Sequence, residues 1–177
     1  YGGASLPEIN GRVAGFYNRC SKSVKEKRLI AQKAAALLSK GQSILLDSST
    51  TASFMIPYIA KIESAVIFTN NLETAVSAIK QGICTHCIGG ASINGSVSLG
   101  GSQTYKALAD ISVDIMFFSS QSLSVDGMIT DSTEEENYMR KLMMKQARIS
   151  VFLYDTEKMN KKSLYKLCSL EDVDYYF

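Results

Sequence analysis

The residues best placed for chemistry form the run Leu46-Asp47-Ser48-Ser49-Thr50-Thr51-Ala52, where a short apolar stretch empties into a carboxylate and four consecutive hydroxyls. At the start of a helix such a run offers unpaired backbone N–H groups, the positive end of a dipole and neutral hydroxyl donors, which together suit a phosphate. Ser49 or Thr50 can equally be an ordinary helix cap. Thr69-Asn70-Asn71-Leu72 repeats the arrangement with amides, and two such ends side by side would converge on one ligand. Capping by Asn70 or Asn71 is the plainer alternative. Gly89-Gly90, after a third apolar run, lets backbone approach a ligand closely. Asp155-Thr156-Glu157-Lys158 follows the last long apolar run, where Lys158 can set a point charge on a phosphate and Asp155 can bind sugar hydroxyls. Glu136 has the chemistry of a general base. It opens a helical stretch, Thr133 to Gln146, in which Glu134 and Glu135 are structural and Arg140, Lys141 and Lys145 complement the helix dipole. Cys84-Thr85-His86-Cys87 is read as core rather than metal site, because residues three apart in a strand face opposite sides and no second ligand pair appears.

Positioning these groups requires alternating strands and helices. Apolar residues recur at helical spacing from Ser23 to Lys40, with Gly41 placed to terminate, and helical stretches are also expected over Thr51 to Ile62 and Leu72 to Gln81. Between them lie the apolar runs Ser43–Asp47, Ala65–Thr69 and Ile83–Ile88, followed later by Val113–Phe118 and Ile149–Tyr154. This alternation is that of parallel crossovers, and the near-continuous apolar strands require cover on both faces, so the class is α/β with a mainly parallel sheet flanked by helices. Ligands in such sheets bind at the carboxyl ends of strands. The longest irregular stretches are expected at Ser119–Ser132 and Asp155–Ser163, and Tyr1 to Tyr17 reads as a linker or arm.

Composition narrows the function classes. The chain has 177 residues, 46% hydrophobic and 20% charged, which excludes disorder and permits one domain with a core that needs no disulfide or metal. Nineteen basic against 17 acidic residues leave +2, too little to coat a phosphate backbone, so nucleic acid is not an obvious partner of this part of the chain. No apolar run reaches the ~18 residues of a membrane span, and Tyr1–Asn10 is no signal peptide, so a cytoplasmic location is expected. Four cysteines, three in apolar surroundings, fit a reducing compartment. The opening Tyr1-Gly2-Gly3 suggests that a segment upstream is missing.

In order and spacing these pieces resemble the effector-sensing C-terminal domain of DeoR-type transcriptional regulators, from Gly2-Gly3-Ala4 through nearly the whole chain. The resemblance is carried by Glu26-Lys27 with Ile30-Ala31, Leu46 to Thr51, Thr69 to Leu72, Gly89-Gly90 with Gly100, Gly127 with Thr130 and Glu136, and Asp155 to Lys158. It implies a fold similar to ribose-phosphate isomerase and glucosamine-phosphate deaminase, used to sense a phosphorylated sugar rather than convert it, with no cofactor. By carry-over, Ser48, Ser49, Thr50, Thr51 and Lys158 hold phosphate, and Asp47, Asn70, Gly89, Gly90, Glu136 and Asp155 contact the sugar. Residues 1–20 become an arm from a missing winged helix-turn-helix that binds operator DNA, and residues 21–177 the sensing domain of a homo-oligomer. The family usually has Gly before the Thr pair, where this chain has Ser49.

The expected mechanism is a population shift in which the sugar phosphate favours one arrangement and so changes operator affinity. Two other readings stand beside it. A sugar-phosphate isomerase or deaminase would use Glu136 for proton transfer, although the sequence offers no defined acid–base pair. A pure oligomerisation platform would need the hydroxyl run only as a cap.

Overall fold

The computed structural model describes residues 11–177. In chain order these form α1 (Gly11–Ser21), α2 (Val24–Ala34), β1 (Ser43–Leu46), α3 (Thr50–Ser53), α4 (Ile56–Ile59), β2 (Val66–Thr69), α5 (Leu72–Lys80) and β3 (Cys84–Cys87). There follow β4 (Ala91–Ser92), β5 (Leu99–Gly100), α6 (Ser102–Ala109), β6 (Val113–Phe118), β7 (Ser122–Leu123), β8 (Met128–Asp131), α7 (Glu134–Gln146), β9 (Ala147–Phe152), β10 (Tyr165–Ser169) and β11 (Tyr175–Tyr176).

Six strands make a parallel sheet in the order β11-β9-β6-β1-β2-β3, so β1 lies inside it and its carboxyl end is flanked by those of β2 and β6. Alternation along the strands explains the continuous apolar runs. Ile44, Leu46, Ile115, Phe117 and Val151 bury into one face beneath α2, α3 and α4, whereas Leu45, Met116, Phe118 and Phe152 bury into the other beneath α6 and α7. Burying side chains of this size contributes about 1.5–3 kcal/mol each, so both layers are needed to hold the strand ends in register.

Several elements differ from expectation for local reasons. The stretch expected as Thr51–Ile62 breaks into α3 and α4, because Pro57 has no N–H to give the Ser53 carbonyl. The first long helix closes after Ala34 with a 3₁₀ turn, Ala35–Leu37, and Gln42 Oε1 then accepts the Ser39 N–H at 2.7 Å. Part of the expected arm is the helix α1, which buries Phe16; the rest of that arm, with Gly2-Gly3-Ala4, falls outside the described residues. Ser119–Ser132 contains β7 and β8, which join β10 in an antiparallel sheet ordered β10-β8-β7. Cys84, His86 and Cys87 are exposed rather than core, because β3 is the last strand of the sheet; the His86 ring stacks on Phe68 at 4.7 Å.

Candidate functional site

The site lies where parallel-sheet geometry places it, at the carboxyl ends of β1, β6 and β9. Asp47, fully buried, follows β1 and organises the turn: its Oδ1 accepts from Ser49 N–H and Ser49 Oγ, and its Oδ2 accepts from Arg140 Nε at 2.8 Å and Ser119 N–H at 3.4 Å. Ser49 Oγ in turn accepts the Ala52 N–H at 3.1 Å, capping α3. Ser49 sits at φ −77°, ψ 146°, ordinary extended backbone, so this turn needs no glycine before its Thr pair. Since α3 is only four residues long, its dipole is slight, and the positive charge near the turn comes from lysine side chains.

Two lysines converge on that turn. Lys158, in a 3₁₀ turn after β9, donates to Thr51 Oγ1 at 2.8 Å and Ser119 Oγ at 2.6 Å and lies 3.6 Å from Asp155 Oδ2. Burial pushes its ammonium down to about 8 against the opposing pull of Asp155, with the nearby Lys27 charge adding to the drop. Lys27, only 3% exposed on α2, donates to Thr50 Oγ1 at 3.3 Å and to the Arg19 carbonyl at 2.6 Å; burial lowers it as well. Glu26 beside it accepts from Thr156 N–H at 2.7 Å, so α2 grips the turn that carries Lys158.

Arg140 closes the floor. Its Nε, Nη1 and Nη2 donate to Asp47, Asp131 and Glu136 at 2.8, 2.8 and 3.0 Å, with the guanidinium 6% exposed. Burial alone would lower its proton affinity, but the three carboxylates outweigh that and raise it. Ser48 Oγ donates to Glu136 Oε2 at 3.3 Å, tying the turn to the same cluster. The resulting cavity has a volume of about 360 Å³, within the usual range for small-molecule sites, and its walls are polar.

Ser48, Ser49, Thr50, Glu136, Asp155 and Lys158 line this cavity. Asp47 and Thr51 lie just beneath it, each bonded to a lining cation. Asn70, Gly89 and Gly90 do not line it. Asn70 Nδ2 donates to the Leu99 carbonyl at 2.8 Å and Asn70 O accepts the Leu99 N–H at 2.8 Å, so the chain before α6 covers the end of β2. Gly89 O accepts from Thr104 Oγ1 at 2.7 Å, and a Cβ on Gly90 would overlap Thr104 Oγ1 and the Gly100 carbonyl. Arg140, read from sequence only as complementing the helix dipole, is the buried hub of this cluster. Sequence reasoning also passed over Lys27, Arg19, Lys22 and Asp131 as lining groups. One signal was available: Arg140 lies four residues after Glu136, the spacing of an ion pair on a helix. Among the described residues, no group of three or more His, Cys, Asp and Glu is arranged to hold a metal ion, and no helix is long and apolar enough to cross a membrane.

Comparison with known proteins finds similar sequences and similar folds. The chain is 29% identical to the HTH-type transcriptional repressor GlcR of Bacillus subtilis (strain 168), over 98% of this chain and 67% of that protein. It is 23% identical to the glycerol-3-phosphate regulon repressor of Haemophilus influenzae, over 100% of this chain and 69% of that one. Among solved structures, the fold is similar to a D-ribose-5-phosphate isomerase in complex with phospho-erythronic acid, with TM-score 0.56, 15% identity and coverage of 77% of this chain and 54% of that one. It is also similar to eIF2B delta from Chaetomium thermophilum, with TM-score 0.65, 12% identity and coverage of 91% and 58%. The chain thus spans little more than half the length of these solved structures. The family model for the DeoR C terminal sensor domain matches residues 22–177, and the chain belongs to that family.

Proposed function

We propose that this chain is the effector-binding domain of a DNA-binding transcriptional repressor of carbohydrate metabolism, in which a phosphorylated sugar in the cavity changes operator affinity. The observation that carries this reading is the convergence of Lys158 and Lys27 on the hydroxyls of Thr51 and Thr50 at one wall of a polar cavity. Ser48, Ser49, Thr50, Thr51 and Lys158 hold the phosphate. Glu136 and Asp155 meet the sugar, with Asp47 fixing the turn from below; Asn70, Gly89 and Gly90 shape the neighbouring strand ends. Operator DNA is contacted by a separate helix-turn-helix module, in keeping with the similarity to HTH-type transcriptional regulators, and the working form is a homo-oligomer.

The route from ligand to DNA runs through Lys27. Its ammonium holds both the phosphate turn and the Arg19 carbonyl near the end of α1, and Ser23 at the α1–α2 joint has φ 51°, a strained setting for a residue with a side chain. A phosphate at Thr50 competes for that ammonium and so shifts the elbow. Residues 1–20, which include most of α1, then act as the lever that joins residues 21–177 to the DNA-binding module. A differential affinity of about a hundredfold between two elbow positions supplies nearly 3 kcal/mol.

Thermal unfolding against phosphorylated sugars, the matching free sugars and inorganic phosphate tests the reading. A phosphorylated sugar at 100 times its Kd is expected to add about 2.7 kcal/mol, with free sugars inert. A panel with no effect would contradict it. Consumption of the sugar phosphate would instead favour an isomerase or deaminase, a reading opposed by the engagement of Glu136 Oε2 with Arg140 and Ser48.

A further inference from the structure

Helix α5 carries an apolar row that the fold leaves uncovered. Its core side is made by Thr74, Ala75 and Ala78, all buried, while Leu72, Val76 and Ile79 remain 44%, 47% and 60% exposed. Spaced by four and then three residues, these aliphatic side chains align along one side of the helix over about 10 Å. Leu29 and Tyr138, by contrast, stand alone on α2 and α7, and Tyr175 and Tyr176 follow one another in β11 and so face opposite sides. The helix packs on β2 and on β3, the outermost strand, which places it at the edge of the fold. Tyr17 of α1, also exposed, borders the same row and donates its OH to Glu73 Oε1 at 2.6 Å.

The charges beside the row decide what fits it. Glu73 in the first turn of α5 and Lys80 in the last lie about two turns apart and therefore share one flank of the row. A two-fold axis crossing α5 at right angles beside Val76 reverses the helix but keeps that flank on the same side. Leu72 of one copy then meets Ile79 of the other, Val76 packs on Val76, and each Glu73 meets a Lys80. In a parallel pairing Glu73 would oppose Glu73, and Lys80 would oppose Lys80. The face is thus complementary to itself in one orientation, as an isologous contact requires.

We propose that the exposed face of α5 is a two-fold interface between two copies of this chain, with the helices antiparallel and Val76 at the axis. This deepens the homo-oligomer reading and rests on it, and it is independent of what the cavity binds. Sedimentation velocity of the chain at low salt, over about 1–100 μM, tests it. The parent is expected to move from monomer toward dimer across that range. Val76→Glu, which sets two carboxylates against each other at the axis, is expected to weaken association at least about a hundredfold. The position is exposed and Glu favours helix, so thermal unfolding of the monomer is expected to stay unchanged. Lys80→Glu is expected to weaken association about three- to tenfold by opposing Glu73, and adding Glu73→Lys restores it to within about twofold of the parent. A parent dimer that Val76→Glu leaves intact, or a double variant no tighter than Lys80→Glu alone, overturns this interface while leaving room for a homo-oligomer formed elsewhere. A parent still monomeric at about 100 μM overturns both the interface and the homo-oligomer reading of this chain.

Discussion

Two neighbouring strand ends with the same local grammar meet different fates in this fold. After β1, Ser48–Thr51 opens into the cavity, its hydroxyls engaged by Lys27, Lys158 and Glu136. After β2, Asn70 and Asn71 are sealed: Val97 and Leu99 bond across them, and Asn71 Oδ1 caps α5 by accepting the Thr74 N–H at 2.9 Å. The sealed end nevertheless serves the open one, since Asn71 Nδ2 donates to the Ser48 carbonyl at 3.3 Å. A strand running into polar residues at a helix start thus specifies a turn, and what later chain lies across it decides between site and scaffold. Over β1 that later chain is α7, which brings a charge rather than a lid.

The largest expected effect breaks the open end from below. Arg140→Met strips the cation from three carboxylates and is expected to cost about 3–5 kcal/mol in urea unfolding. A variant as stable as the parent would mean that Arg140 does not hold the turn.

Next comes a crossed pair. Lys158→Met is expected to weaken phosphate roughly tenfold to a hundredfold by removing a charge-assisted hydrogen bond, with a smaller change in stability than Arg140→Met because relief of the buried ammonium offsets the cation lost by Asp155. Asn70→Ala should do the reverse, costing about 1–3 kcal/mol of stability through the bond lost to the Leu99 carbonyl, with phosphate affinity held within about twofold. If both variants lose affinity equally, the two ends are not functionally distinct.

A smaller effect sharpens the chemistry of Lys158. Its ammonium titrates near 8 in the free chain, and a bound phosphate raises that value, so affinity is full below about pH 8 and falls as pH rises through the window above it. Calorimetry at pH 7 and pH 9 is expected to show up to about a tenfold loss in the parent, and a shallower one in Lys158→Met. The smallest effect concerns Ser49→Gly, which keeps the turn and loses the cap: a few tenths of a kcal/mol and a phosphate affinity within about twofold are expected. A larger gain in affinity would show that the Ser49 side chain narrows the site.

What the sequence discloses follows from the range of each interaction. Strand identity and the location of the Ser48–Thr51 turn depend on neighbours a few residues away, and the apolar runs at Ile44–Leu46 and Val113–Phe118 carry that information directly. The two-sided cover of the sheet follows from the same runs. The sealing of Asn70 does not, because it depends on Leu99, 29 residues away. The hub role of Arg140 was hidden for a related reason: the sequence shows its i,i+4 spacing to Glu136, but the link to Asp47 spans 93 residues. The break at Pro57 was readable from proline chemistry, whereas the exposure of Cys84 and Cys87 depends on β3 lying at the sheet edge, which strand order alone decides.

Amide chemical shifts during an inorganic phosphate titration test the central claim most directly, since they report both strand ends in one sample. The expected result is saturable perturbation of Ser48–Ala52 and Lys158, with Asn70, Gly89 and Gly90 nearly unmoved. Perturbation centred on Asn70 and Gly89–Gly90 with a silent Ser48–Thr51 turn, or no saturable shift in either, would contradict the assignment of the phosphate wall.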